Sequence, residues 1–370
     1  MNNTIDSTDL IYNRFDITYK NSFETYITEQ NGKKYTILLH IEGTIGFLNL
    51  WGKNIPSNVI NNSINYFINI YPELTRFRVL RFTKNYKNYL IKGFERILIL
   101  PPSPFDVQIL LTNKERQHIR YNIKHLAGDG ELKIESLKNI TNEIIETFFY
   151  WKKSTHDYDY NITPEEYINK YHVTDVILLS KIEESKKEQL AIIFFCACNR
   201  TIYLENISYN REYAKYSPGF LLYVYFVQQM IEEGRKYIFL GGAKQDYKRK
   251  FNSIERCCYT GDIFTKVGVA KMNSFFKENG ILTVAIYGLG NMGKMLINVM
   301  KKFDVKVEYG IDLVETINDI KVIRPSDEWP NIDFIIISIK KQSKEIENTI
   351  DEKGIAFDYW EQIVDRVLKY

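Results

Sequence analysis

The sequence has no apolar run long enough to cross a bilayer. Its longest, Phe220 to Ile231, is about a dozen residues and contains Gln228 and Gln229, against the roughly 20 that a spanning helix needs. No membrane span is expected. An excess of one charge is also lacking: 49 Lys and Arg stand against 46 Asp and Glu, a formal net charge of +3. That gives no general drive toward DNA or an anionic membrane, so any basic patch must be local. Cysteine is scarce. Four in 370 residues exclude a disulfide scaffold, and their placement as Cys196, Cys198 and the adjacent Cys257, Cys258 lacks ordinary zinc spacing. Cys196 and Cys198 sit two apart in an apolar run and read as buried, inert thiols. The five histidines form no ligand pair. His156, in the stretch His156, Asp157, Tyr158, Asp159, reads as part of a polar loop ahead of Pro164, and no metal is expected. The first 20 residues lack the basic-then-apolar order of a secretory signal, so the expected location is the cytoplasm.

With 45% hydrophobic and 26% charged residues the chain can bury a sizeable core, and its length suggests two or three domains. To about residue 24 no period is visible, and a loose arm is expected. Tyr35 to Ile41 and Thr44 to Trp51 read as a hairpin. Ser57 to Tyr71 carries a helical stripe of Val59, Ile60, Ile64, Phe67 and Ile68, and strands are expected at 75–82 and 96–100. A helix over Leu110 to Leu126 stops at Gly128 and Gly130. A strand at 132–136 and a helix at 142–152 follow. Thr163-Pro-Glu-Glu opens another helix, with Thr163 as cap, proline in the first helical position and Glu166 three residues on. Three strands, 176–180, 190–197 and 201–207, suggest a meander. The most apolar helix, 220–233, then leads to a short strand at 237–240, a basic helix at 245–251 and a strand at 259–264. Lys277 to Gly280 reads as a linker.

Three stretches carry a resemblance. Asn113-Lys-Glu-Arg-Gln-His-Ile-Arg-Tyr-Asn-Ile123, then Tyr216-Ser-Pro-Gly-Phe-Leu-Leu222, then Gly234 with Tyr237-Ile-Phe-Leu-Gly-Gly242 and Tyr247-Lys248 are together similar to the acyltransferase domain of the GNAT superfamily, in its FemAB or cellulose-biosynthesis branch. The resemblance covers residues 111 to about 265, and implies that residues 1–110 are a degenerate first half. The implied fold is α/β, a GNAT-like mixed sheet, tandem if that first half is counted, followed by a small Rossmann-like parallel α/β domain. The boundaries expected are 1–110, 111–278 and 281–370.

The resemblance implies an acyl-CoA donor, acetyl-CoA or another, and an amine acceptor. A serine cap with proline and glycine behind it leaves free backbone N–H groups at a helix N-terminus, where a diphosphate can bind. Ser217, Gly219 and the nearby Arg211 are the donor-binding candidates, although Ser217-Pro-Gly also reads as an ordinary helix cap. One departure stands out: Arg211 to Tyr216 has no glycine, and relatives in the FemAB group use aminoacyl-tRNA. Amine acylation needs a base for the ammonium proton and a group to stabilise or protonate the leaving thiolate. Glu205 is the candidate base, or else an exposed strand residue. Tyr247 is the candidate acid, and Lys248 a candidate phosphate contact. Arg249 and Lys250 read as a solvated helix face.

The last 90 or so residues read differently. The strand Thr283-Val-Ala-Ile-Tyr287 leads into Gly288-Leu-Gly-Asn-Met-Gly293 and an apolar helix, the context in which a glycine loop counts as a nucleotide fingerprint. Asp312, 19 residues after Gly293, is placed to accept ribose hydroxyls. Gly288, Gly290, Gly293 and Asp312 are therefore candidates for an NAD or nucleotide-sugar site, or for a structural module that keeps the loop and binds nothing. The expected function is N-acyl transfer to an amino sugar in surface polysaccharide biosynthesis. An NAD-dependent oxidoreductase acting on a sugar nucleotide and a non-catalytic ligand sensor are the alternatives. A homo-oligomer is compatible with either.

Overall fold

The computed structural model describes residues 23–50, 55–83, 85–86, 89–156, 160–184, 186–198, 200–242, 246–313, 320–339 and 342–368. The opening arm to residue 22, Asp157 to Asp159, the side chain of His156 and Gln245 lie outside that description. In chain order the strands are β1 (Glu24–Gln30), β2 (Lys33–Glu42), β3 (Ile45–Leu48), β4 (Arg76–Phe82), β5 (Ile91–Ile99), β6 (Glu131–Leu137), β7 (Asp175–Glu183) and β8 (Lys186–Cys198). They continue as β9 (Thr201–Tyr209), β10 (Tyr237–Gly241), β11 (Ile254–Phe264), β12 (Thr283–Tyr287), β13 (Lys306–Ile311), β14 (Lys321–Ile323), β15 (Phe334–Ile337) and β16 (Phe357–Tyr359). The α-helices are α1 (Ser57–Ile70), α2 (Asn113–Ala127), α3 (Asn142–His156), α4 (Pro164–Tyr171), α5 (Pro218–Glu232), α6 (Lys266–Glu278), α7 (Asn291–Met300), α8 (Lys344–Asp351) and α9 (Trp360–Leu368). Among the described residues no helix is long and apolar enough to cross a membrane.

The described residues divide into two compact units, 94–256, and 23–93 with 257–368. The expected boundary at residue 110 falls inside the first unit and that at 278–281 inside the second. Lys277 to Gly280 is not a linker: it is the end of α6 and its closing turn, where Gly280 takes a φ of +67° and Ile281 N–H bonds back to the Phe276 carbonyl.

In the first unit the strand order is β5-β10-β9-β8-β7-β6. Only β9 and β10 run parallel, and β6 to β9 form the meander. Side chains alternate across β8, as a strand requires. Phe195 joins α2 and α5 through Ile119, Leu222 and Phe226 on one face, and Phe194 joins α3 and α4 through Phe148 and Tyr167 on the other. α5 is apolar nearly all round because it lies between the sheet and α2. Both α2 and α4 begin with a full capping box, Thr112 with Glu115 and Thr163 with Glu166. The expected helix at 245–251 is a single 3-10 turn, Asp246–Arg249. Of the paired thiols on β8, Cys196 is buried and Cys198 only half-buried.

The second unit contains two sheets. One has the order β1-β2-β3-β4-β11 and packs α1 through Phe67 and Val59 against Ile37, Phe77 and Val79. The other is five-stranded and wholly parallel, in the order β14-β13-β12-β15-β16. Its first strand is central, so the chain winds outward one way to β14, then returns to the middle and winds the other way. Helices cover both faces, as a parallel sheet demands: α6, α7 and α9 through Phe276, Leu296 and Ile363, and α8 through Ile350.

Candidate active site

β9 and β10 pair for only three residues, Thr201 to Tyr203 beside Tyr237 to Phe239. β9 then runs on to Tyr209 while β10 stops at Gly241. Among the described residues, pairing on that side of β9 therefore ends at Tyr203, and the backbone from Leu204 onward presents an edge that an extended ligand can pair with. At the same level β9 bulges: Phe194 lies opposite Asn206 and Phe195 opposite Leu204, leaving Glu205 as the extra residue. A bulge re-aims a side chain and breaks the ladder locally, so the candidate base occupies a distorted position rather than a regular one. Glu205 is half-buried.

Next to it, the Asn206 side-chain amide donates to the Tyr167 hydroxyl at 2.8 Å. Tyr167 is wholly buried among Phe148, Phe149, Tyr160 and Phe194. Burial, foremost, lifts its hydroxyl well above the usual range, with Tyr160 and Glu205 adding to the effect. Tyr167 therefore stays neutral and fixes the Asn206 side chain, one residue from the candidate base. Sequence reading missed this pair because 39 residues separate its members. The one local signal was an asparagine beside Glu205 in a strand otherwise rich in β-branched and aromatic residues.

α5 follows β9 through a 3-10 turn, Arg211–Tyr216. Ser217 caps the helix by position but not by hydrogen bond: its φ of +48° is left-handed and its side chain makes no cap bond. The expected serine cap is thus a backbone turn into Pro218. Gly219 and Phe220 are left with first-turn amides that no helical carbonyl can reach. Gly219 packs on Tyr209, whose Cδ1 would lie 3.0 Å from an added Cβ, so helix packing alone accounts for this glycine. Arg211 is exposed and donates from Nη1 to the Ser154 carbonyl at 2.6 Å.

The 3-10 turn after β10 holds Tyr247 and Lys248. Tyr247 meets Tyr223 of α5 edge-on, with ring centroids 5.0 Å apart, and burial pushes its hydroxyl up to about 12. Tyr223 is fully buried, and its hydroxyl has no hydrogen-bond partner among the described residues. Lys248 was expected to reach phosphates, yet it is 8% exposed and faces the protein. Lys250 is no solvated bystander either. It pairs with Glu115 at the start of α2, and that bond, with the capping amide of Thr112, holds the Glu115 carboxyl down at about 2. Arg249 is exposed.

The glycine loop lies in the other unit. Gly288 has a φ of +86°, and a Cβ on Gly293 would sit 2.1 Å from the Gly288 carbonyl oxygen, so the loop closes only with glycine at both positions. Gly290 caps α7 and has open space where a side chain would be. Asp312 accepts the Leu289 amide at 2.5 Å and its neighbour Leu313's at 2.6 Å, so the carboxylate expected to meet a ribose also holds the loop. A cleft of about 920 Å³ opens at the carboxyl ends of β15 and β16, with Met292, Ile339, Gln342, Tyr359 and Arg366 on its walls.

Residues 113–249 match the acetyltransferase (GNAT) domain family. Among solved structures the chain is similar to FemX, at 10% identity and a TM-score of 0.48 over 72% of this chain and 92% of that one. It is also similar to L-PGS from Bacillus licheniformis, at 14% identity and a TM-score of 0.42 over 65% of this chain and 84% of that one. A GCN5-related N-acetyltransferase from Kribbella flavida gives 11% identity and a TM-score of 0.33 over 71% and 97%. No curated protein matches the sequence. Only the family match bears on chemistry.

Proposed function

We propose that this chain, an acyltransferase by the GNAT domain at residues 113–249, moves an acyl group from acyl-CoA to the amine of an amino sugar destined for a surface polysaccharide. The observation that carries the reading is the strand pair that ends early: β9 offers an edge unpaired among the described residues beside its bulge at Glu205, and α5 begins one 3-10 turn after it. An edge of this kind suits the amide-bearing arm of a CoA thioester, and the free amides of Gly219 and Phe220 at the positive end of α5 suit its diphosphate. Arg211 adds a cation close by.

Glu205 takes the proton from the acceptor ammonium, directly or through one water, and frees the nitrogen lone pair to attack the thioester carbonyl. A C–N bond forms, the tetrahedral nitrogen gives up its second proton to solvent, and the C–S bond breaks. Tyr247 donates a hydrogen bond to the departing sulfur. A phenol held at about 12 stays protonated through the physiological range, whereas an ordinary thiol titrates at about 8.5. Full proton transfer from Tyr247 is therefore uphill, and its role is stabilisation of the thiolate, which takes its proton from solvent. Lys248 packs beside Tyr247 within the protein rather than serving as a surface phosphate contact.

For the C-terminal module we favour a Rossmann-like nucleotide site. The parallel order with β12 at the centre supports it, as do the glycine loop at the α7 N-terminus, the open space at Gly290 and the cleft at the carboxyl ends of the strands, where such sheets take ligands. Such a site would hold the nucleotide of NAD or of a nucleotide-linked amino sugar. The test is free-thiol release from acetyl-CoA with a panel of nucleotide-linked amino sugars. Release with at least one acceptor supports the reading, and inactivity across the panel contradicts it.

A further inference from the structure

Arg76, in β4, is 1% exposed. Of its guanidinium donors only Nη2 is hydrogen-bonded, to Asp365 of α9 at 2.8 Å, and that carboxylate is itself 63% exposed. The Nε and Nη1 atoms are buried without a hydrogen-bond partner among the described residues, and the approach of Nη1 to Asp262 is a loose 3.4 Å. Asp262 is already satisfied: Arg78 grips both its oxygens, at 2.9 and 3.0 Å. A buried donor left unsatisfied is costly, more so when charged, so the sequence maintains an expensive group here without completing its bonds.

Arg76 lines a cavity of about 260 Å³ within the second unit, between β4 and β11 on one side and α7 and α9 on the other. Arg78 shares the wall. The remainder is largely apolar, with Leu80, Met295, Val299 and Trp360. An apolar cavity of about 150 Å³ takes up benzene, so this one has room for a ring or a branched chain. None of these residues belongs to the acyl-transfer machinery proposed above.

We propose that this cavity binds a small organic carboxylate, its anionic group on Arg76 and Arg78 and its apolar body against Trp360 and Val299. The carboxylate supplies the acceptors that Arg76 lacks, and its charge-assisted bonds form on a guanidinium that is itself buried. Glu361 and Asp365, also on the wall, disfavour a multiply charged ligand.

Sodium benzoate is the probe, with inorganic phosphate as a bare anion and sodium chloride at matched ionic strength as the control. Intrinsic tryptophan fluorescence, to which Trp360 contributes, and the melting temperature of the full chain are the readouts, since a ligand that binds only the native state raises the melting temperature. Benzoate is expected to give a saturable response and a higher melting temperature, with phosphate at least about tenfold weaker. Arg76→Met should abolish the response. Because that variant also breaks the pair with Asp365, Leu80→Phe is the second test: it narrows the cavity, leaves every charge in place, and should weaken benzoate about tenfold or more. No saturable response of the folded wild-type protein to either anion would overturn the proposal, as would benzoate binding that Leu80→Phe leaves unchanged. Phosphate binding as tightly as benzoate would overturn the apolar half of it.

Discussion

A single side chain decides most at Glu205. It is the residue inserted by the β9 bulge, and replacing it by glutamine keeps its shape while removing the proposed base. Glu205→Gln should lower turnover by about 10²–10⁴, the range of a lost general base, with little change in donor binding. Tyr247→Phe should lower kcat by about tenfold or more and leave KM nearly unchanged, as expected of a bond made mainly at the transition state. Steady-state kinetics separates the two parameters, and an unchanged kcat removes Tyr247 from the mechanism. Glu115 gives a pH-dependent effect. Its carboxyl is held at about 2 against an ordinary 4.5, so the stabilisation it provides is fully present above 4.5 and is lost as pH falls toward 2. At neutral pH Glu115→Gln should cost about 1 kcal/mol through the weakened capping box. The pair with Lys250 is partly exposed and adds little. Urea unfolding at pH 7 and pH 3 checks this: the gap between wild type and variant should narrow at the lower pH.

At the scale of elements, what the sequence made legible was local chemistry. The Thr163-Pro-Glu-Glu start holds as a full capping box, and the strand, glycine loop and helix from Thr283 to Met300 appear in that order. α6 was not legible. Its stripe of Val269, Met272 and Phe276 lies beside Lys277 and Gly280, which look like a linker, and its fixing contacts are remote. Thr265 caps it by accepting from the Gly268 amide while donating to the Leu74 carbonyl. Gly268 then lies so close to the chain that an added Cβ would sit 2.0 Å from the Thr75 carbonyl oxygen. No pattern in residues 265–280 reveals a partner about 190 positions away. Gly268→Ala should therefore destabilise the second unit by about 1–3 kcal/mol or more, despite alanine's better helix propensity, and thermal melting measures it. A gain in stability would mean that α6 is not held against β4 as described.

For the whole molecule, linear reading places domain boundaries one after another, whereas the second unit joins residues 23–93 to 257–368. Pairing of β4 with β11, such as Arg76 with Phe264, depends on register between segments far apart in sequence, which a hydrophobic pattern does not encode. The donor-side candidates could be proposed together because they lie within one continuous stretch of the first unit. The cavity at Arg76 could not, since its walls come from five separated segments. Glycine loop and acyl-transfer residues fall in different units, which is consistent with an accessory role for the former.

The most direct measurement of the central claim is the mass of the acceptor after incubation with acetyl-CoA, for wild type and Glu205→Gln side by side. Wild type should add one acetyl group to the amine of a nucleotide-linked amino sugar with release of one thiol, and the variant should do so at least about a hundredfold more slowly. An acceptor left unmodified across the panel, or modified equally fast by both proteins, would contradict the account.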